Sequence, residues 1–191
     1  MKREIERRSF RGTLRASKGG TTAAGAGNVT GYAAVYDSSS VLMPHPTYGN
    51  FYERISPGAF RRALARSPDV RLLVNHEPSL LLARTKSGTL RLAEDSRGLK
   101  IDATLPDTQL ARDVLTLLRR GDMDQMSFGF YTVRDEWSEA GGVPIRTLID
   151  LTIDDCSIVT YPAYPDTTVH ARSGLSSAAA KRILDLWQLT R

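Results

Sequence analysis

The chain has 191 residues, of which 41% are hydrophobic and 25% charged, the composition of a globular protein with one core. No apolar run approaches the roughly 20 residues that cross a bilayer. The basic N-terminus MKREIERRSF lacks the apolar segment of a secretory signal. The single cysteine, Cys156, excludes an internal disulfide framework and a cysteine-based zinc cluster, so we expect an intracellular protein.

The formal net charge is +5, but the basic residues are scattered and form no block of five or more like charges. This distribution predicts mostly solvated faces and is weak support for nucleic-acid binding. The basic pairs are Arg7-Arg8, Arg61-Arg62, Arg119-Arg120 and Lys181-Arg182.

Strand patterns dominate the first hundred residues. Alternating apolar positions predict a strand within 5–15, and 29–37 is dense in β-forming residues. Between them, the Gly- and Ala-rich stretch 17–28 predicts a flexible loop. Residues 70–78 are predicted as a buried strand stopped by a proline, and 80–106 as a β-meander.

Three helices are predicted from capping signals and apolar stripes. A Ser-Pro pair at 56–57 indicates a helix start, with serine as the N-cap and proline in the first turn. Asp107 or Thr108 caps the next helix, and Gly121 suits its C-terminal end. An amphipathic pattern predicts a third helix over 176–191.

Two further strands, 126–137 and 146–165, bring the expected total to seven or eight. They come in meanders rather than in strict strand-helix alternation. The pattern therefore favours a single mainly β domain of the α+β class, an antiparallel β-barrel with helices packed outside.

Ser127 is the candidate nucleophile. The stretch 121–130, GDMDQMSFGF, encloses this hydroxyl between Met126 and Phe128, directly after a predicted helix. Gly129 would let another backbone or a substrate approach closely. The alternative is a strand serine that bonds only to neighbouring backbone.

A hydroxyl nucleophile needs a neutral base within hydrogen-bond reach, and the base needs an orienting partner. His76, at the end of a predicted strand, is the best base, because His45 and His170 lie in loop-like surroundings. The alternative is a core histidine bonded to a carbonyl.

Asp155 is the most informative acid. Alternation over 147–159 puts it on one face with Leu151 and Ile153, where an unpaired carboxylate would be costly to bury. An imidazole N–H would satisfy it, and an ion pair with an arginine is the alternative. Cys156 is interpreted as a small buried hydrophobe. No HExxH, P-loop or GxGxxG motif occurs, so we expect no metal and no cofactor.

Several stretches, in order, make the chain resemble the prohead proteases of tailed bacteriophages over about residues 5–170. They are GYAAVYD (31–37), ERISPGAF (53–60), VNHEP (74–78), MSFGF (126–130) and DDCSIVTYPAYPDT (154–167).

The resemblance implies a β-barrel ringed by helices, similar in fold to the herpesvirus maturation proteases (assemblins). It implies that Ser127 is the nucleophile, His76 the general base and Asp155 the orienting acid, with Asp154 as the alternative to Asp155. The protease domain would span 1–170, followed by a linker and C-terminal helix over 171–191.

The implied role is capsid maturation by a serine endopeptidase packaged inside the prohead in the host cytoplasm. It would cleave the scaffolding portion of the major capsid protein, and also itself. A homodimer is allowed, and neither a membrane nor a specific nucleic-acid partner is expected. The alternative function is a non-enzymatic capsid-associated scaffold or nucleic-acid-binding β-barrel, whose Ser, His and Asp are structural.

Overall fold

The computed structural model describes residues 5–10, 14–17, 26–36, 43–45 and 49–160, and this part of the chain is mostly β with few helices. None of the helices described there is long and apolar enough to span a membrane. The described elements are β1 (Glu6–Phe10), β2 (Arg15–Ser17), β3 (Gly27–Val35), β4 (Met43–His45), β5 (Gly49–Ile55), α1 (Arg61–Ala65), β6 (Arg71–Val74), β7 (Glu77–Arg84), β8 (Leu90–Glu94), β9 (Gly98–Leu105), α2 (Gln109–Arg120), β10 (Gln125–Ala140) and β11 (Val143–Val159).

The strands of the described residues form two sheets. A seven-stranded sheet has the order β1-β10-β11-β5-β4, with β6 pairing β11 and β7 pairing β6, and a four-stranded sheet has the order β2-β3-β9-β8. Most pairs are antiparallel, but β11 is parallel to β5 at 145–148 and to β6 at 155–158. The expectation of a wholly antiparallel barrel is wrong at these two pairs. Because β10 occupies the other edge of β11, β5 and β6 follow one another along one edge, and α1 lies in the connection between them.

The predicted meander over 80–106 holds only in part. Strands β8 and β9 form an antiparallel hairpin in the four-stranded sheet, whereas β7 pairs with β6 in the other sheet. Local alternation predicts each strand, but it carries no information about which sheet a strand joins.

Helix α2 agrees with its predicted ends. The Thr108 side chain accepts a hydrogen bond from the Ala111 N–H, and Gly121 adopts the left-handed conformation at the C-terminal end, with φ of 81°. Both devices satisfy backbone groups that the helix leaves unpaired. The buried face consists of Ala111, Val114 and Leu115.

Helix α1 begins later than predicted. The Ser-Pro pair at 56–57 leads into a turn over 57–60, and the helix starts at Arg61. Gly58 has φ of 92°, which is outside the helical region, so the chain cannot continue from Pro57 as a helix.

Some predictions fall wholly or partly outside the described residues. Most of the predicted loop 17–28 lies there, although Ser17 belongs to β2 and 27–28 to β3. The C-terminal helix and His170 also lie outside, whereas His45 belongs to strand β4 rather than to a loop.

Residues from both sheets and from α1 and α2 form the hydrophobic core. Phe60 of the turn before α1 packs edge-on against Phe128 of β10 with ring centroids 5.7 Å apart, and Phe128 stacks on Phe130 at 4.8 Å. All three rings are fully buried, and burial of each side chain contributes about 1.5 to 3 kcal/mol. One face of β10 is thereby fixed against the core.

Candidate active site

The two faces of β10 differ in character. Met126, Phe128 and Phe130 belong to the core, so Ser127 and Gly129, which alternate with them, lie on the opposite face of the sheet. Ser127 is nevertheless fully buried, with 0% of its surface exposed. The enclosure expected from the sequence is therefore present.

A bulge in β11 puts Asp155 on the same face as Ser127. Gly129 pairs with Asp155, but Phe130 pairs with Ile153, which leaves Asp154 without a partner on β10. Such an extra residue shifts the alternation by one position. The prediction that Asp155 shares a face with Ile153 is therefore wrong, because Ile153 packs in the core and Asp155 is turned away from it.

His76 lies in a tight turn rather than at a strand end. Val74 of β6 pairs with Glu77 of β7, and the two residues between them, Asn75 and His76, have φ of 52° and 57°. Two positive φ angles are the requirement of a type I′ hairpin turn, for which Asn followed by Gly is the preferred pair, so His76 occupies the position that glycine favours. A left-handed His costs of order 1 kcal/mol and is a feature that clusters at functional sites. The proline after it does not stop a strand, since β7 begins at Glu77.

Hydrogen bonds fasten this turn to β11. The Asn75 N–H donates to the Ile158 carbonyl at 3.0 Å, and the Thr160 N–H donates to Asn75 Oδ1 at 3.0 Å. The His76 N–H donates to Ser157 Oγ at 3.1 Å. The backbone of His76 is therefore held in place by groups of the strand that carries Asp155.

The structure brings Ser127, His76 and Asp155 into one hydrogen-bonded chain. His76 Nε2 lies 2.6 Å from Ser127 Oγ, and His76 Nδ1 lies 2.7 Å from Asp155 Oδ1. A carboxylate only accepts, so Nδ1 carries the proton and Nε2 has the lone pair that faces the hydroxyl. Only 11% of the His76 side chain and 6% of the Asp155 side chain are exposed. The arrangement can activate a hydroxyl nucleophile.

A family model of the caudovirus prohead serine proteases matches residues 13–181, which contain Ser127, His76 and Asp155. The chain belongs to this family. Membership implies a serine protease, a hydrolase, connected with phage capsid maturation. No curated protein and no solved structure matched the chain.

In this prohead protease, neither Asp154 nor Cys156, the two residues beside Asp155, shares the environment of the Asp155 carboxylate. Asp154, the alternative acid, is partly buried, and this burial together with the charge of Asp155 raises its pKa. Cys156 is fully buried in the core, and burial raises the pKa of its thiol. Cys156 therefore packs as a small hydrophobic residue. Within the described ranges, no cluster of three or more His, Cys, Asp or Glu residues could hold a metal ion.

Strand β1 contacts Ser127 from the other side. The Ser127 hydroxyl lies 3.1 Å from the Arg8 carbonyl, so one proton faces two acceptors, this carbonyl and His76 Nε2. Arg8 precedes the residues matched by the family model, so the contact involves a part of the chain outside that match.

Arg8 and Ser157 are the residues that the sequence analysis missed. Arg8 was expected on a solvated face, but it is buried and its Nη2 lies 2.9 Å from Glu53 Oε2. The available signal was its position two residues before Phe10, on the apolar face of the predicted strand. Ser157 had no such signal, because its hydroxyl bonds depend on a turn 81 residues away.

Proposed function

We propose that this prohead protease is an endopeptidase in which Ser127 is the nucleophile, His76 the general base and Asp155 the orienting acid. The observation that carries the proposal is the unbroken chain of two short hydrogen bonds from Ser127 Oγ through the imidazole to the Asp155 carboxylate. Asp155 is preferred to Asp154 because its carboxylate contacts His76 Nδ1 directly.

In the first step Ser127 Oγ attacks the carbonyl carbon of the scissile peptide while its proton passes to His76 Nε2. Asp155 keeps the imidazole oriented and stabilises its positive charge. His76 then gives the proton to the leaving amine, and the acyl group stays on Ser127. A water molecule then attacks this ester while its proton passes to His76. The bond between the acyl carbon and Ser127 Oγ breaks, the acid is released, and His76 returns the proton to Ser127 Oγ.

Access to Ser127 is a requirement of this mechanism. The residue has no exposed surface, so a peptide carbonyl can reach Oγ only after the groups that cover it move apart. Strand β1 is one such group, since its backbone lies beside Ser127 at the edge of the sheet. Opening of the site is therefore part of the proposed reaction.

The proposed substrate is the scaffolding portion of the major capsid protein, and the protease itself is a second substrate. Both reactions would occur inside the prohead in the host cytoplasm, without a cofactor. Family membership supports this setting. We further propose an assemblin-like barrel domain over 1–170, with 171–191 as a linker and C-terminal helix that allows pairing with a second copy.

The test is co-expression with the major capsid protein of the same phage, read by intact mass spectrometry. Wild type, Ser127→Ala and Ser87→Ala are compared, because Ser87 is an exposed serine in a turn and provides a matched control. Cleavage of the scaffolding portion by wild type and Ser87→Ala, but not by Ser127→Ala, is the expected result.

Equal cleavage by all three proteins would refute the role of Ser127. Absence of cleavage by all three, in cells where shells have assembled, would contradict the protease proposal. DNA binding that weakens steeply with salt would then favour the non-enzymatic alternative.

A further inference from the structure

The hydroxyl of Ser157 joins two parts of the site. Ser157 lies on β11 directly across from Ser127 and is fully buried. Its Oγ is 2.9 Å from Asp155 Oδ1 and 3.1 Å from the backbone nitrogen of His76. No other described side chain hydrogen-bonds to both of these residues.

The direction of both bonds is fixed by the partners. A backbone N–H can only donate and a carboxylate can only accept, so Ser157 accepts from His76 and donates its single proton to Asp155. The rotation of the hydroxyl is therefore determined. Asp155 Oδ1 in turn accepts two hydrogen bonds, one from Ser157 and one from the His76 ring.

This contact restrains the two groups that must stay aligned. His76 lies in a left-handed conformation that its side chain does not favour, so its backbone requires outside support. The Ser157 hydroxyl bonds to the same Asp155 oxygen that meets the His76 ring, so this bond helps to fix where that oxygen lies. One hydroxyl restrains both.

We infer that Ser157 is a positioning residue for catalysis, which keeps the His76 ring and the Asp155 carboxylate in the geometry that activates Ser127. The inference rests on the proposed function. The hydrogen bonds of the Ser157 hydroxyl go to His76 and Asp155, so Ser157 acts through these two partners. It would hold His76 Nε2 at the short distance from Ser127 Oγ that proton transfer requires.

The test uses diisopropyl fluorophosphate, because this small reagent reports on the nucleophile without knowledge of the peptide substrate. Ser127 Oγ forms a bond to phosphorus, the phosphorus–fluorine bond breaks, fluoride leaves, and the hydroxyl proton passes to His76. Intact mass follows the single addition, and peptide mapping locates it. The concentration dependence separates the maximal rate from reagent binding.

For Ser157→Ala we expect the maximal rate to fall about 10- to 100-fold, since misplacement by about an ångström has effects of this size. Binding of the reagent should stay within about twofold, because the Ser157 hydroxyl is occupied by its bonds to His76 and Asp155. In proton NMR, the downfield signal of the His76 Nδ1–H should weaken or shift. Should Ser157→Ala fail to fold, Ser157→Cys, which leaves no cavity but bonds poorly, has the same expected result.

Thr85→Val is the matched control. The Thr85 hydroxyl also joins two backbone groups, the Val70 N–H at 2.8 Å and the Pro68 carbonyl at 2.7 Å, but takes no part in the site. This variant should lose stability and keep the wild-type rate. A general loss of stability would then not explain a slow Ser157 variant.

The outcomes separate the two proposals. If wild type is modified at Ser127 and the Ser157 variants react at the wild-type rate with an unchanged His76 signal, the role of Ser157 is refuted and the triad stands. If wild type is not modified at Ser127, the proposed function fails, and the inference about Ser157 fails with it.

Discussion

Replacing Gly129 by alanine tests whether the position of the Asp155 carboxylate governs the reaction. A Cβ atom on Gly129 would lie 2.6 Å from Asp155 Oδ2, whereas ordinary van der Waals contact begins near 3.4 Å. The two residues face each other across β10 and β11, so neither backbone can move away without disturbing the sheet. The carboxylate must therefore shift by up to about 0.8 Å.

The shift acts on the bond to the histidine. The Asp155 Oδ1 to His76 Nδ1 distance is 2.7 Å. A shift of the carboxylate directly away from the ring by the full amount would lengthen it to about 3.5 Å, beyond useful hydrogen-bond range. We expect the rate of modification at Ser127 to fall about 100-fold. Crowding costs about 1 to 3 kcal/mol, and the better strand propensity of alanine offsets about 0.5 to 1 kcal/mol, so the protein should be only modestly less stable.

The assay is the rate at which diisopropyl fluorophosphate modifies Ser127, together with urea unfolding. Gly88→Ala is the control, because Gly88 has φ of 73° and a Cβ there meets nothing within 4 Å. That variant should lose about 1 to 2 kcal/mol through backbone strain and keep the wild-type rate. If Gly129→Ala folds and reacts as fast as wild type, the position of the Asp155 carboxylate does not control the reactivity of Ser127, and the reasoning is refuted.

Three further predictions concern other parts of the molecule. Thr108→Ala removes the N-cap of α2 and should lower the free energy of unfolding, measured in urea, by about 1 kcal/mol. An unchanged midpoint of urea unfolding would contradict a stabilising role of this cap. Burial, and then the charge of Asp155, raise the pKa of the Cys156 thiol. A disulfide reagent at pH 8 should therefore modify this thiol only after denaturation. Rapid labelling of the folded protein would contradict its burial. Burial alone would raise the pKa of Glu6, but hydrogen bonds from Arg146 and a neighbouring threonine hold it below 4.5. The stability from this pairing is complete above pH 4.5 and is lost as pH falls through the folded-state pKa. The unfolding free energies of wild type and Glu6→Gln should therefore converge at low pH. A difference between these two free energies that does not depend on pH would refute the pairing.

The sequence allowed a prediction of which residues meet, but not of how they meet. A hydroxyl after a helix end, a histidine beside a predicted strand and a carboxylate within a strand are local features, and their residue types suffice to suggest an activated serine. The geometry that joins Ser127, His76 and Asp155 depends on pairing between strands far apart in the chain. Alternation of apolar and polar residues within one segment does not predict which strand that segment pairs with or in which register.

The bulge at Asp154 is the clearest example. Strict alternation over 147–159 places Asp155 with the aliphatic residues, and the interpretation fails because the strand contains one extra residue relative to β10. The local sequence does not show that Asp154 is an extra residue, because a bulge is defined only by the pairing with the partner strand. The buried Arg8 is similar, because arginine is ordinarily exposed and its burial depends on Glu53, 45 residues away.

The same register that builds the core also builds the site. Strand β11 pairs with β10 and β6 over the same four residues, 155–158, so Phe128, Cys156 and Leu72 form one row on the core face. Ser127 and Ser157 form the adjacent row on the opposite face. A slip of β10 by one residue would place Ser127 in the core and expose Phe128 on the other face, which loses the burial of a large aromatic side chain. Core packing therefore holds Ser127 opposite Ser157 and within reach of His76. Substitutions that loosen this row should disturb the hydrogen-bonded chain before they unfold the protein.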